Sequence, residues 1–294
     1  MFHVKQLFYY ANKDIYVISN HWNRKNSVIL KGRKAKIMGQ VIAVANQKGG
    51  VGKTTTAVNL SASIAASEKS CLLIDCDPQG NATTGLGVNI AELESGLYDF
   101  ILSPDTGGDV IMETEISCLH LMGATAGLIG AEVEMFVLDE REYLLKKRLS
   151  SLKKKYDYVL LDCPPSLNFL TINAMTASDW VLVTLQCEYY ALEGLTELMK
   201  TISAVKKKLN PSLELGGIVF TMHDKRNNLS TQVVEEVREH FKDIAFNTII
   251  PRNVRLSEAP SYGKPILLYD IKSKGAQKYL ELATELFARG GNHD

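Results

Sequence analysis

The chain has 294 residues, 46% of them hydrophobic and 22% charged, with 33 Lys and Arg against 33 Asp and Glu. These proportions fit a globular protein with a sizeable core, and no stretch approaches the ~18–20 apolar residues of a membrane span or the ~7–15 of a secretory signal. Five cysteines (Cys71, Cys76, Cys118, Cys163, Cys187) form no C-x-x-C pair. That usage excludes a disulfide scaffold and points to a reducing, cytoplasmic compartment.

The zero net charge hides an asymmetry. Residues 1–37 hold eight bases and one acid, +7, which leaves −7 on the remainder. A basic segment on an acidic body is a pattern associated with nucleic-acid or membrane contact. The aromatics of this segment (Phe8, Tyr9, Tyr10, Tyr16, Trp22) show no compelling period. Two readings stay open for residues 1–37: a DNA-contacting arm, or an extension that is disordered or not translated, with Met38 as the start.

From residue 41 the chain alternates short apolar runs with longer amphipathic stretches. The runs at 41–45, 71–74, 158–161, 180–183, 217–220 and 248–250 read as buried strands. Helical spacing marks residues 53–67, 143–155, 192–209, 231–241 and 277–287. Strands apolar throughout, alternating with helices, predict an α/β fold whose mainly parallel, twisted sheet carries helices on both faces. No linker divides the chain, so residues 38–294 are expected to form a single domain.

The first strand runs into Asn46-Gln47-Lys48-Gly49-Gly50-Val51-Gly52-Lys53-Thr54-Thr55, which opens a helix. Glycines let the backbone curl so that successive N–H groups form an anion nest, and the helix adds its positive dipole end. Lys53 is placed to bridge the β- and γ-phosphates of a nucleotide, the Thr54 hydroxyl to ligate Mg²⁺, and Thr55 to reach the α-phosphate. A dinucleotide-binding reading fails, because Gly50-Val51-Gly52 would need a third glycine where Thr55 stands. The usual P-loop also has a glycine five residues before Gly52. Here that position is Gln47, followed by a second lysine, Lys48.

Acids follow two of the strands. Asp75-Cys76-Asp77-Pro78-Gln79-Gly80-Asn81 closes the second strand, and Asp162-Cys163-Pro164-Pro165-Ser166 closes the run at 158–161. In an open parallel sheet, ligands sit beyond the carboxyl ends of the strands. Asp162 fits the Walker B position, holding Mg²⁺ directly or through water.

The string Lys-Gly-Gly-x-Gly-Lys-Thr-Thr resembles the deviant Walker A motif of the ParA/MinD superfamily of P-loop ATPases, and Asp-x-Asp-Pro-Gln-Gly-Asn resembles a second segment of that group. The resemblance implies ATP as substrate, Mg²⁺ as cofactor and an ATP-sandwiched homodimer. Lys48 would reach across to the partner's nucleotide, Asp77 would orient the attacking water, and Asp75 would belong to the Mg²⁺ shell or order its loop. The catalytic set is then Asp77, Lys48 and Lys53. Cys163 also invites a nitrogenase-iron-protein reading, but that family's ligand cysteines sit elsewhere relative to its motifs.

Further on, Ile250-Pro251-Arg252-Asn253-Val254-Arg255-Leu256-Ser257-Glu258-Ala259-Pro260-Ser261, then Gly263-Lys264-Pro265-Ile266 and Tyr269-Asp270, looks very much like the ParA/Soj chromosome- and plasmid-partitioning branch. Thr221-Met222 and Arg226 resemble the same branch, and the match runs from about Met38 to Phe287. This implies an adenine loop at Pro251 and Asn253, and non-specific DNA contacts at Arg226, Arg255 and, more weakly, Arg252. It also implies stimulation of hydrolysis by a ParB-type partner and a place on the nucleoid. The lysine runs 146–148, 153–155 and 206–208 read first as solvated helix faces. The rival is a MinD-like membrane-cycling ATPase, which needs a basic amphipathic C-terminal helix. Residues 277–289 carry Glu281 and Glu285 against Lys278 and Arg289, so no membrane contact is expected. The six histidines show no metal-ligand spacing.

Overall fold

The computed structural model describes residues 39–103, 108–188 and 191–290. All belong to the unit Met38–Asp294, and the expectations for residues 1–37 lie outside the described residues.

Eight strands form one sheet in the order β3-β4-β2-β5-β1-β6-β7-β8. They are β1 (Gln40–Ala45), β2 (Cys71–Asp75), β3 (Ile111–Glu113), β4 (Leu119–Met122), β5 (Tyr158–Asp162), β6 (Trp180–Gln186), β7 (Glu214–His223) and β8 (Ala245–Pro251). Every neighbouring pair is parallel except β3 with β4. The sequence runs anticipated six of these strands and missed β3 and β4. β3 is only three residues long and partly exposed, so it carries no apolar run to detect.

The strands separate their side chains by parity, as the pleat demands. Val41, Ala43, Leu72, Ile74, Val159 and Leu161 enter one core. There they meet α3 (Leu97–Leu102), α4 (Leu128–Phe136), α5 (Leu144–Leu152), α6 (Phe169–Ala177), α7 (Ala191–Lys208) and α8 (Asn228–Phe241). Ile42, Val44, Leu73 and Leu160 enter the other core, against α1 (Lys53–Ala66) and α11 (Lys274–Gly290). Burial on both faces is why these strands read as continuous apolar runs. Shorter helices are α2 (Asn81–Gly85), α9 (Val254–Glu258) and α10 (Ile266–Tyr269).

Several helix boundaries differ from the periodicity; α8, expected over 231–241, begins at Asn228. The stretch expected as one helix over 143–155 begins in a 3-10 turn, Arg141–Tyr143, and is α-helical only over Leu144–Leu152. Lys153, Lys154 and Lys155 form the turn into β5. At the other end α11 is longer than its apolar stripe, because Arg289 is held in its last turn. Its guanidinium donates to the carbonyls of Ile244 and Ala245 and pairs with Glu285. Glu285 accepts from the N–H groups of Asn247 and Thr248 on β8, while Arg238 donates to the carbonyls of Phe246 and Asn247. These side chains occupy backbone groups along the β8 edge.

Candidate nucleotide site at the carboxyl ends of the strands

The turn from β1 into α1 is held from below. Asn46, buried at the strand end, donates to the carbonyl of Thr184 on β6 and accepts from the N–H of Lys48. The Thr221 hydroxyl at the end of β7 donates to the carbonyl of Val51. Gly50 and Gly52 have φ of 72° and 83°, the left-handed region that an L side chain rarely adopts. Gly52 precedes the first residue of α1, and no side chain caps that helix. The first N–H groups of α1 are therefore directed outward, the arrangement that binds anions at helix N-termini.

Lys53 begins α1 and is 6% exposed. Its Nζ donates to the carbonyl of Lys48 at 3.0 Å, folding the side chain back across the loop. Burial lowers its pKa, and the charges of Asp162, Cys163 and Asp77 oppose that fall. Lys48, Gly49 and Gly50 are exposed while Val51 is buried, so the loop presents its middle outward. The Lys48 ammonium pairs with Glu188 at 3.0 Å, an ion pair about half exposed on both sides. Sequence spacing gave no sign of this partner, which lies 140 positions away.

The carboxylates divide their roles. β2 and β5 pair in register with Asp75 beside Asp162, both fully buried. The strand ends at Asp75, so Asp77 sits in the following turn and is not on a continued strand face. One oxygen of Asp75 accepts from the Asp77 N–H; the other accepts from the N–H and hydroxyl of Thr83, at 2.8 and 2.7 Å. Thr83 Oγ1 in turn accepts from Ala124 N–H beyond β4. Asp75 thus orders the loop that carries Asp77, and Thr83 is a positioning residue the motif reading did not contain. Burial drives the Asp75 pKa up to about 6, against the pull of those hydrogen bonds. Asp77 is 8% exposed and accepts from Gln79 N–H at 3.0 Å.

Asp162 differs in kind. Both its oxygens are buried without a hydrogen bond of normal geometry among the described residues. Burial, then the charge of Asp75, push its pKa well above the carboxylate range, while the Thr54 hydroxyl and Lys53 pull it back. A buried, unsatisfied carboxylate beside a hydroxyl is a group that a hard divalent cation would satisfy. Thr54 and Asp162 together therefore fit Mg²⁺. The two oxygens of Asp75 are already occupied by its own loop.

The remaining predicted residues gather at the same end of the sheet. Pro251 ends β8 opposite His223, and the Arg252 N–H donates to the His223 carbonyl. Asn253 caps α9 by accepting from Arg255 N–H at 2.9 Å. Arg226 is exposed and held in a two-pronged pair with Asp224, at 3.0 and 2.8 Å, which holds the Asp224 carboxyl well below its usual range. Arg255 pairs with Glu258 at 2.9 Å and lies 3.5 Å from Asp270.

Known proteins resemble this chain in sequence and fold. The AAA domain family matches residues 39–215. A solved cobyrinic acid a,c-diamide synthase from Mycobacterium smegmatis, with bound ADP and magnesium, superposes with a TM-score of 0.77 at 35% identity, covering 87% of this chain and 97% of that one. The chain is 53% identical over 252 residues to the chromosome partitioning protein ParA of Myxococcus xanthus (strain DK1622), covering 86% of this chain and 89% of the relative. It is 53% identical over 253 residues to the sporulation initiation inhibitor protein Soj of Bacillus subtilis (strain 168), covering 86% of this chain and 100% of the relative. Identity of this depth along a relative's full length leaves one assignment: the chain belongs to the ParA/Soj family of chromosome-partitioning P-loop ATPases.

Proposed function

We propose that this protein is a DNA-partitioning ATPase that hydrolyses ATP slowly, dimerises around it, and is discharged by a ParB-type partner. The observation that carries this reading is the exposed Lys48 beside the buried Lys53. One lysine is committed to the chain's own phosphate nest. The other points out of it, where only a second copy would bring phosphate within reach.

In this reading the loop from Lys48 to Thr55 wraps the triphosphate, with N–H groups and Lys53 neutralising charge that builds up as the terminal phosphoryl group transfers. Thr54 and Asp162 would hold Mg²⁺, which would supply positive charge against the phosphates. Asp77, on a loop fixed through Asp75 and Thr83, orients the attacking water. Pro251 and Asn253 border the adenine. Lys48 leaves Glu188 and completes the partner's site, so hydrolysis waits for dimerisation.

Arg226, Arg255 and Arg252 contact DNA phosphates without reading sequence, which places the ATP-bound dimer on the nucleoid in the cytoplasm. The membrane alternative is disfavoured by packing. The apolar side of α11, with Tyr279, Leu282, Ala283 and Leu286, is buried in the core, and Tyr279 Oη meets Thr56 Oγ1 at 3.1 Å. A helix so engaged has no free apolar face for lipid.

The test is ATP turnover with and without duplex DNA and a ParB-type protein, for wild type and Asp77→Ala. Slow basal turnover, stimulation by the partner, and loss in Asp77→Ala are expected, with ATP-driven dimerisation retained. Unchanged turnover in that variant would overturn the mechanism. Arg255→Ala should weaken DNA binding while dimerisation survives.

A further inference from the structure

α4 is apolar on two sides and covered on one. Leu128, Ala131 and Met135 face the core at helical spacing. Ile129, Val133, Phe136 and Val137 fall on the opposite stripe and are exposed, from 59% for Phe136 to 80% for Val137. Leu138 follows them, and Leu167, just before α6, is exposed as well. Five of the ten exposed large apolar side chains among the described residues thus lie between positions 129 and 138. A solvated helix face ordinarily carries polar groups, so a stripe of this kind marks a surface of contact.

Charge selects what meets it. Residues 128–142 contain five acids and one base. Glu134, Asp139 and Glu140 are exposed beside the stripe. The one base, Arg141, is engaged: its guanidinium lies 4.7 Å from the Phe136 ring centre and 4.9 Å from that of Phe169, and donates to the Phe136 carbonyl. A second copy docked symmetrically here would set these acids against themselves, and an anionic lipid surface or a DNA backbone would meet the same repulsion. The complement is an amphipathic helix whose apolar side is flanked by Lys and Arg.

The stripe is continuous with the nucleotide site. The Phe136 ring meets Phe169 edge-on, with centroids 6.1 Å apart, and Phe169 opens α6. The Arg141 carbonyl accepts from the Asn173 amide on the same helix. The Thr171 hydroxyl donates to the Ser166 carbonyl at 2.6 Å, and the Asn168 side chain accepts from Thr171 N–H. The segment held this way follows Asp162 and passes the phosphate loop, where a Cβ on Gly49 would meet Pro165 at 4.0 Å. A partner seated on Phe136 therefore bears, through two rings and one guanidinium, on residues beside the nucleotide.

We propose that the exposed face of α4, with Leu167, docks a cationic amphipathic helix of the partner that stimulates hydrolysis, and that Arg141 passes the contact to the segment after Asp162. This rests on the partner-stimulated reading above and gives that partner a place on the chain. Arg141 is a positioning residue in it, since it touches neither nucleotide nor partner charge and acts through Phe169.

The experiment uses the full chain with ATP, Mg²⁺ and a ParB-type protein. ATP turnover is measured against partner concentration, and partner binding separately by interferometry. I129S/V133S/V137S and D139K/E140K should melt, dimerise with ATP and turn over basally like wild type. Each should need about tenfold or more partner for half-maximal stimulation, as expected when an interface loses its central contacts. The deficit of D139K/E140K should be larger at low salt, where exposed charges are least screened. R141Q should bind the partner like wild type while its maximal stimulated rate falls several-fold, and R141K, which keeps a cation between the rings, should recover part of that rate. Face variants stimulated at wild-type partner concentrations would overturn the docking site and leave the partition reading standing. A wild type that neither binds the partner nor responds to it would overturn both. Weakened ATP-driven dimerisation with stimulation intact would overturn the proposal in favour of a second copy on this face, and full stimulation of R141Q would overturn the role of Arg141.

Discussion

The interior of the nucleotide site and the arginine rim around it occupy the same end of one sheet, yet their charges are organised oppositely. Lys53, Asp75, Asp77 and Asp162 are buried, and their neighbours lie beyond the adjacent turn: Thr83 eight residues after Asp75, Ala124 behind it, and a strand register joining β2 to β5. Arg226 and Arg255 are exposed, and each holds a carboxylate two or three residues away. The interior is therefore set by the fold as a whole, and a single substitution there disturbs several groups. The rim is set locally, so changing an adjacent acid frees a guanidinium without disturbing the buried groups of the interior.

Three measurements press on this difference, in order of expected effect. The largest concerns Asp75. Its folded pKa, about 6, stands above the ordinary ~3.9, so the unfolded chain releases this proton first as pH rises. The contribution is thus fully present below about pH 4 and lost as pH rises towards about 6. Wild type should lose on the order of 2–3 kcal/mol over that window relative to Asp75→Asn, and run parallel above it. Parallel denaturation curves across the whole window would mean the interior is not coupled as described. Next, Asp224→Asn releases the Arg226 guanidinium and should raise DNA affinity several-fold with ATP turnover unchanged, read by anisotropy and phosphate release. A fall in affinity would show that Asp224 positions Arg226 for DNA, making the rim as preorganised as the interior. The smallest is Glu188→Gln. A half-exposed ion pair contributes about 0–1 kcal/mol, so freeing Lys48 should tighten ATP-driven dimerisation by at most about fivefold in sedimentation.

The same contrast explains what could be read from the chain alone. The phosphate loop was legible because glycines, lysine and threonines are contiguous and each does its work through the backbone beside it. Asp162 was legible because it ends an apolar run, whereas the burial of both its oxygens without a hydrogen bond comes only from the fold. Asp75 and Asp77 were recognisable as a pair, but their division of labour was not. It depends on the strand stopping at Asp75 and on Thr83, whose hydroxyl links Asp75 to Ala124. Glu188 was invisible for a similar reason, since no periodicity relates it to Lys48. The edge strand β3 escaped because it has no apolar run and pairs antiparallel with its neighbour β4, outside the alternation of strand and helix.

The side chains bracing β8 bear on how this protein behaves at high concentration. An uncovered outer strand is a template on which another chain can add by backbone pairing, the first step towards cross-β aggregation. Along β8 the Glu285 carboxylate occupies two consecutive N–H groups, and Arg238 and Arg289 occupy carbonyls of the same strand. A chain crowded against its copies finds few free groups to pair with on that side. The flank formed by β8 thereby resists sheet extension.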